Sequence, residues 1–101
     1  MFIYNVTMKV DWEINEAWLN WMLNEHMPAV VNTKCFTTYH LLKLHDVDDM
    51  EGPTYAVQYY TDSKALYNRY LELHAQNFVK EMNNKWQDHV IMFRTFMEII
   101  S

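Results

Sequence analysis

The sequence is poor in cysteine and glycine, and each scarcity excludes a class of site. Its one cysteine, Cys35, cannot form a disulfide within the chain or build a cysteine-based zinc site. Its one glycine, Gly52, cannot form a glycine-rich phosphate-binding loop. Histidines and carboxylates also lack the spacing of known metal motifs. We therefore expect no metal ion and no bound cofactor.

Basic residues are scarce and scattered, and long apolar runs are absent. The chain has 8 Lys and Arg against 13 Asp and Glu, a net charge of −5. Nucleic-acid binders usually carry a concentrated basic face, so nucleic acid is not an expected partner. No apolar run approaches the about 20 residues of a membrane helix, and no signal peptide is apparent. We expect a cytoplasmic protein with no membrane association.

Hydrophobic residues are abundant for a chain of this size. They make up 50% of the 101 residues, and aromatic residues make up 16%. The length fits one domain, residues 1–101. One small core cannot bury so much apolar area, which predicts a second buried surface at a subunit interface or a ligand cleft.

Alternating and helical patterns divide the chain into six elements. Period-two alternation predicts strands over 2–10, 36–45, 54–61 and 89–100. Between them, capping residues at Asp11 or Asn15 and at Asp62 or Ser63 predict two helices. Helical spacing predicts buried stripes of Ile14, Trp18, Trp21, Met22, Glu25 and Ala29 in the first helix, and of Leu66, Tyr70, Leu73, Phe78 and Met82 in the second.

The turns between elements carry their own predictions. Pro28 is expected to weaken the first helix near its end. In the exit turn that follows, Asn32 is the residue expected to adopt the left-handed conformation.

The order β-α-β-β-α-β predicts a ferredoxin-like α+β fold. Its four-stranded antiparallel sheet carries both helices on one face and leaves the other face uncovered. Both faces of most strands are rich in apolar groups, as Tyr55, Val57 and Tyr59 against Ala56 and Tyr60 illustrate. We therefore predict a homodimer formed through the sheet face, the alternative being a surface for another protein.

Short segments distributed over nearly the whole chain resemble a known family. These segments are Ile3–Thr7, Trp18, Trp21–Met22, Glu25–Pro28, Cys35–Thr37, Thr54–Thr61, Tyr70–Ala75 and Phe93–Thr95. The chain is similar to a small uncharacterised bacterial family, a domain of unknown function in the dimeric α+β-barrel superfamily.

The resemblance implies two ferredoxin-like protomers with paired sheets, but no activity. The superfamily includes haem-degrading and antibiotic-biosynthesis monooxygenases, muconolactone isomerases and proteins without a known reaction, and fold does not decide among them. The family is expected to have glycine where this chain has Lys34. The turn before Cys35 is then expected to be strained or differently shaped.

Two histidines are candidates for proton transfer. His26, near the end of the first helix, could act as a general acid or base at the mouth of a cleft. The alternative, which we favour, is a structural histidine stabilised by the helix dipole.

The resemblance to superfamily haem degraders concerns two further residues. His74, on the second helix, is similar to their haem-ligating histidine, and Asn5 is similar to their asparagine. Those enzymes also use a tryptophan where this chain has Tyr59 or Tyr60, which argues against haem.

Polar and aromatic residues on the strands are candidates for ligand binding. Arg94 and Glu98 lie four residues apart, on one face of the last strand. In a cleft Arg94 could bind an anionic or carbonyl ligand, whereas between two sheets the pair would fix the dimer register, the interpretation we favour. The polar set to which they belong also includes Asn5, Thr7, Lys9, Thr38, His40 and Gln58. Tyr59 and Trp18 are aromatic candidates for ligand contact, with core packing as the alternative.

Three functions follow from this pattern. We place first a homodimeric module that binds a small apolar or aromatic molecule in a cleft between sheet and helices. A structural or protein-interaction module comes second. A cofactor-independent monooxygenase or isomerase, with His26 or His74 as the proton-transfer group, comes third because the sequence shows no recognisable pair of catalytic residues.

Overall fold

The four predicted strands form one antiparallel sheet in a computed structural model, which describes residues 1–101. They are β1 (Phe2–Val10), β2 (Thr38–Lys43), β3 (Thr54–Thr61) and β4 (Val90–Glu98), arranged in the order β2-β3-β1-β4. The ferredoxin-like fold is confirmed. β2 is shorter than the predicted 36–45 because its pairing with β3 extends only from Thr38 to Lys43.

Each of the two helices is an α-helix interrupted by a π-helical turn. The first follows a 3-10 turn at Trp12–Ile14 and comprises Asn15–Trp21, the π turn Met22–His26, and Met27–Val31. The second comprises Lys64–Tyr70, the π turn Leu71–Ala75, and Gln76–Trp86. Ser63 caps the second helix as predicted, since its hydroxyl accepts a 3.1 Å hydrogen bond from the Leu66 amide. A 3-10 turn, Gln87–His89, leads into β4.

The π turns change which side chains face the sheet. A π turn adds one residue to the helical repeat, so positions beyond it are displaced from the spacing expected of an α-helix. The predicted burial of Glu25 and Ala29 is wrong, because both are exposed. Buried instead are His26 and Val30, each one position later, together with Met27. In the second helix, Leu73 was predicted to be buried and is 53% exposed.

Strand register fixes the two faces of the sheet. On β1 the buried side chains of Tyr4, Val6, Met8 and Val10 face the helices. Val6 pairs with Val57 on β3 and with Arg94 on β4. Because paired residues share a face, Arg94 also lies on the helix side, and so does Glu98, four residues along β4. The predicted position of Arg94 and Glu98 between two sheets is therefore wrong.

The turn after the first helix places a lysine in the left-handed region. Asn32, predicted to adopt that conformation, is helical with φ of −65° and ψ of −11°. Lys34 has φ of 70° instead. A side chain with a Cβ is disfavoured there, whereas glycine is not. The strain expected in the turn before Cys35 is thus located at Lys34.

The single glycine allows the β2–β3 loop to approach β1 closely. A Cβ on Gly52 would lie 1.7 Å from the carbonyl oxygen of Val10. On either side of Gly52, the carbonyls of Glu51 and Pro53 accept hydrogen bonds from the amides of Trp12 and Val10, at 3.1 and 3.0 Å. The loop is therefore tied to the end of β1, and only glycine fits this approach.

Candidate functional site

An open cleft of about 220 Å³ lies between the helix side of the sheet and the second helix. Its walls are mostly apolar and aromatic, with very few polar groups. Small-molecule sites typically combine such walls with a few convergent polar atoms. The lining residues are Tyr4, Val6, Met8, His26, Tyr59, Tyr70, Phe78, Val79, Met82, Met92, Phe93 and Arg94.

Two buried polar atoms in the cleft have no hydrogen-bond partner in the protein. They are the Nδ1 atom of His26 and the hydroxyl of Tyr59. The two residues are only 6% and 2% exposed. Leaving a buried polar group unpaired costs roughly 1–3 kcal/mol, and most native proteins avoid it. Both residues line the cleft, although the two atoms themselves are covered, so a bound molecule would reach them by displacing neighbouring side chains.

His26 enters the cleft because of the π turn that ends at this residue. Its ring stacks on Trp21, with centroids 4.8 Å apart, and meets the edge of Phe78 at 5.5 Å. Burial among these rings lowers the pKa of His26 to about 4, since the imidazolium loses its hydration. The imidazole is consequently neutral at neutral pH. His26 is not the dipole-stabilised terminal histidine that the sequence favoured, because the helix continues to Val31.

Arg94 supplies the positive charge of the cleft. It is exposed, whereas His26 and Tyr59 are buried, so the guanidinium lies at the open part of the cleft. Burial raises the pKa of both Tyr4 and Tyr70, and the proximity of Arg94 offsets part of that rise. The two phenols therefore stay neutral. No Asp or Glu forms an ion pair with Arg94.

The π turn of the second helix aligns two aromatic walls of the cleft. Tyr70 and Phe78 are eight residues apart, which in a regular α-helix would place them about 80° apart around the axis. The extra residue in the Leu71–Ala75 turn brings both to the sheet side, with rings stacked 6.2 Å apart and 14° from parallel. The cleft thus has a flat aromatic side.

The cleft lining does not include four of the residues predicted for catalysis or ligand binding, Trp18, Glu98, His74 and Asn5. Trp18 is fully buried and stacks on Tyr55 with centroids 5.1 Å apart, so it packs the core. Glu98 is exposed near the end of β4. His74 is half-buried, with its ring 6.2 Å from that of Tyr70.

The uncovered face of the sheet carries a chain of hydrogen-bonded polar side chains. The amide of Gln58 donates to Asn5 at 3.3 Å, and Asn5 donates to Thr7 at 3.2 Å. At the other end, the Tyr60 hydroxyl donates to Gln58 at 3.1 Å and lies 3.2 Å from Nδ1 of His40. These side chains hydrogen-bond to one another, whereas Nδ1 of His26 and the hydroxyl of Tyr59 in the cleft have no partner.

The haem-degrader pattern is not assembled around one site. Asn5 points to the uncovered face, whereas His74 belongs to a helix on the opposite face. Of the two tyrosines at the tryptophan position, Tyr59 faces the helices and Tyr60 faces the uncovered side.

No group of three His, Cys, Asp or Glu side chains is placed to hold a metal ion. No helix is both long enough and apolar enough to cross a membrane.

Sequence reasoning found His26, Tyr59 and Arg94 but not their grouping. It missed Tyr4 and Tyr70 as neighbours of Arg94. The parity of β1 was a usable signal for Tyr4, because its even positions are apolar and its odd positions include Asn5 and polar neighbours. No comparable sequence pattern predicted the register between β1 and β4, which places Arg94 on the same face as Tyr4.

The sequence matches one family model over residues 1–100, that of a domain of unknown function, DUF4286. None of the curated proteins matches it.

Several solved structures share the fold at low sequence identity. A dimeric ferredoxin-like protein from an uncultured marine organism has a TM-score of 0.74 at 9% identity, with coverage of 99% of this chain and 95% of that one. A second such marine protein has a TM-score of 0.69 at 16% identity, with coverage of 100% and 96%. A Deinococcus radiodurans protein provisionally assigned as an antibiotic biosynthesis monooxygenase has a TM-score of 0.68 at 16% identity, with coverage of 100% and 94%.

Proposed function

The chain belongs to the DUF4286 family of domains of unknown function, and we propose that it is a homodimeric module that binds a small aromatic molecule. The molecule occupies the cleft between the sheet and the second helix. The two protomers associate through the uncovered faces of their sheets.

The unpartnered Nδ1 of His26 and hydroxyl of Tyr59 carry the binding proposal. Four buried side-chain polar atoms lack a partner, and only those of His26 and Tyr59 belong to residues that line the cleft, where a ligand could offset the cost of leaving them unpaired. A polar ligand atom that reached either group would give it a hydrogen bond. The aromatic walls would bury the rest of the ligand.

The uncovered sheet face carries the dimer proposal. Apolar side chains there are exposed, including Ile91 at 66%, Leu42 at 44% and Met97 at 36%. A second sheet would bury these groups, as face-to-face sheet packing does in other proteins. The marine proteins of the same fold are described as dimeric, which supports the same arrangement here.

A second candidate function, an isomerase-like enzyme, is favoured by His26 alone. Its imidazole is neutral, buried and free at Nδ1. Such a group could take a proton from one atom of a bound ligand and return it to another without a co-reactant. A purely structural module is less favoured, because it has no use for a cleft with unpartnered polar atoms.

Binding of a neutral aromatic probe tests the first proposal. We expect β-naphthol to bind the wild-type protein, and Val79→Trp to weaken this binding at least tenfold by filling the cleft. The matched control is Leu73→Trp, which adds the same ring to an exposed position on the same helix, outside the cleft lining. Titration monitored by NMR measures all three affinities.

Native mass spectrometry of the purified protein provides the independent measurement. A mass near twice 12.3 kDa with a defined adduct supports both the dimer and the binding site. If β-naphthol binds none of the proteins, or binds Val79→Trp as well as wild type, the cleft is not a binding site.

A further inference from the structure

The charge of the cleft narrows the class of ligand, an inference that rests on the binding function proposed above. Arg94 is the one permanently charged side chain among the lining residues, and no Asp or Glu lines the cleft. Arg94 forms no ion pair, as is true of every Lys and Arg in the chain. Its charge is therefore available to a bound molecule.

The neighbours of Arg94 do not neutralise it. Pairing with Val6 places it on the helix side of the sheet, near the hydroxyls of Tyr4, Tyr67 and Tyr70. Burial keeps these phenols protonated, because each pKa is raised above its ordinary value. Neutral phenols are hydrogen-bond donors, so they can bind the same anionic group as the guanidinium.

The shape of the cleft sets the size and flatness of the ligand. Its volume of about 220 Å³ is below the roughly 300–1,000 Å³ typical of sites for drug-sized molecules. The parallel rings of Tyr70 and Phe78 offer a flat aromatic side. Aromatic rings pack well on such a surface in an offset or edge-to-face arrangement. A planar molecule with one or two rings fits these dimensions.

We infer that the cleft selects small aromatic acids. The carboxylate pairs with Arg94 at the open part of the cleft, and the ring packs against Tyr70 and Phe78. A second polar atom of the ligand, such as a hydroxyl, lies toward the buried part of the cleft that His26 and Tyr59 line. The Arg94 fork matches a planar carboxylate, so a neutral amide of the same shape is discriminated against.

A pair of isosteric probes tests this inference. We expect para-hydroxybenzoate to bind wild-type protein roughly tenfold more tightly than para-hydroxybenzamide, the range of a charge-assisted hydrogen bond. Arg94→Gln should bring the ratio of the two affinities close to one, and Arg94→Lys should keep part of it. The control Lys80→Gln removes an exposed positive charge from the second helix outside the cleft lining and should leave the ratio unchanged. NMR titrations give the ratios, and thermal melts verify folding.

The contrary outcomes separate this inference from the function on which it rests. If the acid and the amide bind wild-type protein equally, the selection for acids is wrong while the binding function stands. A ratio that survives Arg94→Gln overturns the role of Arg94. If neither probe nor β-naphthol binds, both proposals fail.

Discussion

At the residue scale, His26 is the side chain whose surroundings most alter its chemistry. Packing against Trp21 and Phe78 removes water from the imidazole and holds it neutral, with Nδ1 unpartnered. The same burial that makes the group available to a ligand makes its protonation unfavourable in the folded state. The dependence of the free energy of unfolding on acidic pH therefore tests whether His26 is buried and neutral in the folded protein.

We expect the free energy of unfolding to decrease as the pH falls from about 6.5 to about 4, because the unfolded chain binds a proton at His26 before the folded chain does. This contribution amounts to about 3 kcal/mol and vanishes above neutral pH, where His26 is neutral in both states. His26→Gln should remove it. Urea denaturation at a series of pH values, comparing the variant with wild type, measures the difference.

His89→Gln is the control for this measurement. His89 is half-buried, and its hydrogen bond with Asp11 raises its pKa, so its contribution is present at low pH and is lost as the pH rises. This variant should keep the acid-side decrease attributed to His26. If His26→Gln and wild type show the same pH dependence, His26 is not held neutral by burial.

At the scale of elements, the π turns and the turn at Lys34 decide which residues face inward. The first π turn precedes Pro28, which lacks an amide hydrogen and lies in the first turn of the segment Met27–Val31. A proline is tolerated at such a position, so the helix continues beyond it. We find no comparable cause for the π turn at Leu71–Ala75.

Lys34→Gly should raise the free energy of unfolding by about 1 kcal/mol, because the left-handed conformation penalises a Cβ that glycine lacks. The matched control is Asn32→Gly, two residues earlier, where the backbone is helical and glycine should destabilise by up to about 1 kcal/mol. Chemical denaturation of the two variants checks both signs. A stabilising Asn32→Gly with a neutral Lys34→Gly would contradict this geometry.

At the scale of the whole molecule, the two sheet faces have different roles. The helix side holds the core and the cleft, whereas the uncovered side holds the hydrogen-bonded chain centred on Gln58 and Asn5, flanked by exposed apolar groups. Polar groups that hydrogen-bond to one another can be buried in an apolar interface without the cost of leaving a donor or acceptor unpaired. In a sheet-to-sheet dimer, such a chain would specify the register between protomers.

Ala56→Arg should convert the dimer to a monomer. Ala56 lies on β3 between Thr7 and Leu42, and its side chain points to the uncovered face. An arginine there would bury an unpaired charge between the sheets. Leu73→Arg, an exposed change on the second helix, should leave the dimer intact. Sedimentation equilibrium distinguishes 12.3 kDa from twice that mass, and a monomeric wild type would overturn the dimer proposal.

The sequence by itself determined the order of elements and the four strands, and it limited the cap of the second helix to Asp62 or Ser63. These features depend on the local alternation of apolar and polar residues and on hydrogen bonds within a few residues, such as the bond between Ser63 and Leu66. They can therefore be predicted from the sequence alone. It also determined that the chain has too much apolar area for one small core.

Only the tertiary structure decided what faces the cleft. The pairing of Val6 with Arg94 depends on contacts between strands distant in sequence, and it moved Arg94 from the expected interface to the helix side. The π turn replaced Glu25 by His26 on the buried face, because helical periodicity assumes an uninterrupted α-helix. The grouping of His26, Tyr59 and Arg94 is a consequence of register and helix geometry, neither of which the sequence pattern encodes locally.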